Sequence, residues 1–99
     1  MKKTFDVDAF VWIYPGKAGW NFVTIQKKTS EEIDYYFSES KRGWGSLPVK
    51  VTVGKTTWTT SIFPDKKTKS YLLPIKLAVR KAEKLYEGDR IKINLEIDL

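Results

Sequence analysis

From Arg90 onward the sequence alternates without a fault: Ile91, Ile93, Leu95, Ile97 and Leu99 are apolar, and Lys92, Asn94, Glu96 and Asp98 between them are polar or charged. Successive side chains of a strand point to opposite faces, so a period of two predicts a half-buried strand with one wet face. The same period runs through Thr4–Tyr14. There Phe5, Val7, Ala9, Val11 and Ile13 share one face and Asp6 and Asp8 the other, until Phe10, Trp12 and Tyr14 make both faces apolar. That change reads as a strand entering a core.

The segments between follow the same logic. Pro15, Gly16, Lys17, Ala18 and Gly19 break the first strand, and Trp20–Ile25 resumes it, which predicts an antiparallel hairpin with a longer loop. Val49, Val51 and Val53 alternate with Lys50 and Thr52, and a tight break at Gly54 and Lys55 precedes the Thr-rich strand Thr56–Phe63. Tyr71–Leu73 forms a short strand after the polar turn Pro64–Lys69. Thr29 and Glu32 make a capping box, and with Ile33, Tyr36 and Phe37 as an apolar stripe they predict a helix from Ser30 to about Ser40. A second helix starts at Pro74, where a missing N–H is tolerated, and ends near Tyr86, before Gly88. Its wheel gathers Ile75, Ala78, Val79, Ala82, Leu85 and Tyr86 on one side and Lys76, Arg80, Lys81 and Lys84 on the other.

The order strand, strand, helix, strand, strand, strand, helix, strand is mainly β with two short helices, an α+β chain. Its halves read as a pseudo-twofold repeat whose two units close one sheet into a small β-barrel with helices over its ends. Ninety-nine residues, 41% of them apolar, make one domain over 1–99. With neither cysteine nor histidine the chain lacks disulfides, thiolate nucleophiles, Cys/His metal sites and imidazole acid–base chemistry. No apolar run is long enough for a membrane span or a signal peptide, so the expected setting is cytoplasmic, with no membrane partner.

Several spaced motifs resemble one family. Arg42, Gly43, Trp44, Gly45 and Ser46, then Thr60–Asp65, then Tyr71–Pro74, then Val79, Arg80 and Lys81 with Glu87, Gly88 and Asp89, are similar to the domain of unknown function 1905 family. The resemblance covers nearly the whole chain and implies a small double-split β-barrel capped by helices. Gln26 departs from it, standing where a proline is expected. The segment Leu73–Ile93 is also similar in topology to AbrB-like barrels, which bind DNA as dimers. Topology alone does not carry that function.

Charge is placed unevenly. Between Lys66 and Lys84 stand Lys66, Lys67, Lys69, Lys76, Arg80, Lys81 and Lys84 against Glu83 alone, enough to account for the net charge of +6. Lys76, Arg80 and Lys84 recur every four residues, a spacing at which like charges repel on a helix. The run has two readings: a phosphate-tracking face for nucleic acid or an anionic small molecule, or a solvated helix back. Trp44 between two glycines, beside Arg42, is a candidate for stacking a base or planar ligand; the alternative is that it plugs one end of the barrel, with the glycines making the turn. The candidate ligand-binding residues are therefore Arg42, Trp44, Lys76, Arg80 and Lys84. Asp6 and Asp8 share a strand face, too minimal a pair for a cation site, and no cofactor or metal is implied. Thr59, Thr60 and Ser61 have no base to activate them. The expected function is a monomeric, non-catalytic binding module. The alternatives are a small-molecule site inside or at the mouth of the barrel, lined by Trp12, Trp20, Trp44 and Trp58, and a protein-interaction domain acting through its sheet edge.

Overall fold

The computed structural model describes residues 1–17 and 19–99. Ala18, part of the first hairpin loop, lies outside the described residues. The elements are β1 (Lys2–Ile13), β2 (Asn21–Thr24), α1 (Lys27–Phe37), β3 (Leu47–Val53), β4 (Thr56–Asp65), β5 (Ser70–Pro74), α2 (Leu77–Glu83) and β6 (Arg90–Asp98), with short 3-10 turns at Ser38–Ser40 and Gly43–Gly45. All strand pairs are antiparallel, and they close into a barrel in the order β1, β2, β5, β4, β3, β6. The period of two places Phe5, Val7, Val11, Val23, Val51, Ile62, Leu73, Leu95 and Ile97 inside, all buried.

Two long strands each serve two neighbours in turn. β1 pairs with β6 over Lys2–Phe10 and with β2 over Val11–Ile13. β4 pairs with β3 up to Ile62 and with β5 over Phe63–Asp65. This switch is the split expected from the resemblance, and it repeats across a pseudo-twofold axis. Val23 faces Leu73 at the centre of the β2–β5 pair, and Val51 faces Leu95 at the centre of the β3–β6 pair.

Both helices differ from the sequence reading at their ends. α1 begins at Lys27 with Gln26 as its N-cap and no side-chain capping bond, so Thr29 and Glu32 lie within the helix and form no capping box. Tertiary bonds decide the start: Ile25 donates its amide to Tyr71 O at 2.9 Å, and Ser30 Oγ donates to Ile25 O and accepts the Tyr71 amide. Pro74 does not open α2 but ends β5 opposite Phe22, and the helix starts only after Lys76, whose backbone is extended. The Ile75 amide is taken by Asn21 O at 2.8 Å, which holds that stretch in the sheet. The other end comes early as well. Lys84 adopts a left-handed conformation that turns Leu85 back into the core, leaving Tyr86, Ala78 and Ala82 exposed. The apolar side of α2 is thus narrower than the wheel implied, with Val79 as its buried residue.

Candidate binding surface

The two walls of the barrel differ on the outside. Around β1, β6, β3 and the first part of β4 most outward residues are polar, Phe10 excepted, and several pair across strands. Arg90 donates to both Asp8 carboxylate oxygens at 2.8 and 2.9 Å, Asn94 Nδ2 donates to Asp6 at 3.1 Å, and Thr52 and Thr57 share a hydrogen bond. The Arg90 bond holds the Asp8 carboxyl below the usual carboxylate range. Asp6 and Asp8 thus each accept from a side chain of β6.

On the other wall, built from the end of β1 with β2, β5 and the end of β4, the outward row is apolar. Val11, Val23, Leu73 and Ile62 point inward, so the pleat turns Trp12, Phe22, Pro74, Leu72 and Phe63 outward. Trp12 lies 5.3 Å from Phe22 between ring centroids, and Tyr14 lies 5.9 Å from Trp20 and 6.2 Å from Phe22. Trp12 Nε1 donates to Thr24 Oγ1 at 3.0 Å, which satisfies the indole and fixes its ring on the sheet. Most outer barrel faces are wetted by polar side chains; here Trp20 is 55% and Phe63 39% exposed.

Along this wall runs a groove of about 490 Å³ lined by Trp20, Phe22, Trp58, Phe63, Leu72, Pro74 and Lys76, together with Thr59 and Thr60. It lies beside the stretch of β4 that pairs with β3 only, where the wall is completed by α2 instead of a strand. Lys76 is the only ionisable residue among the described residues that line it. A second groove, about 470 Å³, lies on the β3–β6 side of the barrel, where Asp6, Asp8 and Lys92 put charges of both signs along it beside Val7 and Ile93.

Residues 8–95 match the model of a family described as Domain of unknown function (DUF1905). The chain belongs to this family. No curated protein matches the sequence. In this DUF1905 chain the motif Thr60–Asp65 supplies Phe63 to the groove wall, and Tyr71–Pro74 supplies Leu72 and Pro74.

The residues singled out from sequence fall in three places. Lys76 lines the groove. Arg80 is half-buried and donates from Nε to Ile75 O at 3.0 Å and from Nη2 to Gly19 O at 3.3 Å, which ties α2 to β5 and the first hairpin loop. Lys84 caps the end of α2, so the three cations do not form one stripe along a helix. Arg42 and Trp44 sit in a separate turn. Trp44 is 93% exposed and plugs nothing, which corrects the reading of it as a barrel plug. The four tryptophans share no cavity either: Trp58 is buried in the wall, Trp20 and Trp58 border the groove, and Trp12 packs on Phe22. Phe22, Phe63, Leu72 and Pro74 were not anticipated as site residues. Their signal was the loss of alternation at Phe10, Trp12 and Tyr14, which placed apolar residues on both faces of a strand in a chain too small to bury both.

Proposed function

We propose that this domain binds a small ligand with an apolar, planar body and a negative charge, held in the groove with the charge at Lys76. The observation that carries the proposal is the outward row of Trp20, Phe22, Phe63, Leu72 and Pro74, with one cation beside it. A mostly apolar cleft with a few placed polar groups is the usual form of a small-molecule site. The aromatic rows supply contact area at little entropic cost, and the lysine supplies sign selectivity. The role is binding without catalysis, by a cytoplasmic monomer. A phosphate-tracking α2 is the weaker reading, because the Arg80 guanidinium is already committed to Ile75 and Gly19. The sheet-edge reading is weaker as well, because α2 lies against β4 where that strand pairs with β3 only.

Titrating 2-naphthoate and the neutral 2-naphthylmethanol into the labelled protein tests this reading by amide shifts. Shifts at Trp20, Phe22, Phe63 and Leu72 with tighter binding of the anion are expected, and Lys76→Gln should remove the preference for the anion while keeping the site. Equal affinity for the two probes, or shifts scattered away from the groove, would refute the proposal.

A further inference from the structure

The turn Arg42–Ser46 lies outside the groove and is built to hold one side chain in water. The Arg42 amide donates to Ser46 O at 2.8 Å, Gly45 N donates to Arg42 O at 2.9 Å, and Ser46 donates to Gly43 O through both its amide and its hydroxyl, at 3.1 and 2.8 Å. Its far side rests on β4: a methyl group added at Gly45, whose φ is +74°, would stand 3.0 Å from Pro64 Cγ. The turn is therefore fixed to the barrel. Between the glycines Trp44 adopts φ 64°, a conformation bulky residues rarely accept, and leaves its ring 93% exposed. A large ring held in water on a strained backbone gains nothing for the fold, and such outliers concentrate at functional positions.

The charge around the turn gives the partner's sign. Arg42 is exposed beside Trp44. Pro64, on which the turn rests, leads within two residues into Lys66, Lys67 and Lys69, all exposed. Two carboxylates near the turn, Asp34 and Asp65, are already occupied. Asp34 accepts from Tyr71 Oη at 2.5 Å and pairs with Lys41 Nζ at 3.1 Å, and Asp65 accepts from the Lys67 amide and Thr68 Oγ1. Among the described residues none of Arg42, Lys66, Lys67 and Lys69 is in an ion pair.

We propose that Trp44 is a base-stacking finger for single-stranded nucleic acid, with Arg42, Lys66 and Lys69 holding the phosphates on either side of the stacked base. A flat ring open on both faces suits a base, which carries a π-face whatever its identity, and spaced cations suit a flexible backbone. A duplex keeps its bases stacked on each other and offers the ring nothing.

Eight-residue oligothymidylate titrated into the full chain at low salt should shift the Arg42–Ser46 and Lys66–Lys69 amides and the Trp44 indole, with affinity falling steeply as salt rises. Loss of one stacked base is worth ~1–3 kcal/mol, so Trp44→Ala should weaken binding by roughly 5- to 150-fold, while Trp44→Phe keeps most of it. An eight-residue abasic strand should bind the native protein as weakly as oligothymidylate binds Trp44→Ala. The proposal is overturned if Trp44→Ala or the abasic strand binds undiminished, if duplex binds as well as single strand, or if an oligoglutamate peptide alone shifts the turn. None of the groove residues takes part, so this result stands apart from that of the naphthalene probes.

Discussion

Ile25 and Ile75 occupy the same place in the two halves of the barrel. Each follows the last residue of a short strand, each donates its amide across the β2–β5 pair, to Tyr71 O and Asn21 O respectively, and each is followed by the N-cap of a helix, Gln26 or Lys76. Both side chains are buried.

That equivalence predicts matched losses. Truncating a buried isoleucine removes its transfer free energy and leaves a cavity, together about 2–5 kcal/mol. Ile25→Ala and Ile75→Ala should therefore lower stability to similar extents, read as denaturant midpoints at unchanged slope. A neutral result at either site would show that the halves do not share the load.

Trp44 yields a prediction of opposite sign. Its left-handed backbone costs an L-residue roughly 1–2 kcal/mol that glycine does not incur, and its exposed ring has little burial to lose. Trp44→Gly should raise the thermal midpoint slightly, tempered by the extra freedom of glycine in the unfolded chain. A marked fall would mean that the ring packs on the barrel.

The alternating strands were legible in the sequence because burial on one side imposes a period of two at every position, and the β1 and β6 patterns name their inward residues directly. Helix ends were not, because they are set by partners distant in sequence: Asn21 O catches the Ile75 amide and keeps Pro74 in the sheet. Trp44 was ambiguous for a similar reason. An aromatic between glycines reads as buried or displayed, and only the folded turn shows this one displayed. The groove stayed hidden because Phe22, Phe63 and Leu72 come from three strands whose adjacency depends on the central β2–β5 pair. Each looks ordinary until the strands are set side by side.

Gly54 closes the β3–β4 hairpin at φ +57°, and a methyl group there would collide with the Glu83 carboxylate. That carboxylate is held by Thr56 Oγ1 at 2.6 Å, which joins the end of α2 to the hairpin. Gly54→Ala should destabilise through both strain and the lost bond, by roughly 1–3 kcal/mol. Adding Glu83→Ala should restore part of the loss, because the collision disappears while the backbone strain stays. A double variant no better than Gly54→Ala would show that the side-chain approach is immaterial.

Tyr71 makes the stability depend on alkaline pH. Burial first, and then the Asp34 carboxylate that accepts its hydroxyl at 2.5 Å, push its phenol up from 10.0 to about 12. Below the unfolded value both states keep the proton and the contribution is complete. Between about pH 10 and 12 the unfolded chain gives up the proton while the folded chain retains it, so stability falls as pH rises through that window. The comparison with Tyr71→Phe isolates the contribution of the phenol. The phenylalanine variant loses a hydrogen bond to a charged group, so it should be about 1.5–3 kcal/mol less stable at pH 8, and its stability should fall less between pH 10 and 12 than that of the native protein. Parallel pH profiles from denaturant unfolding would show that Tyr71 does not carry the dependence, and that the Asp34 contact does not distinguish the two states of the phenol.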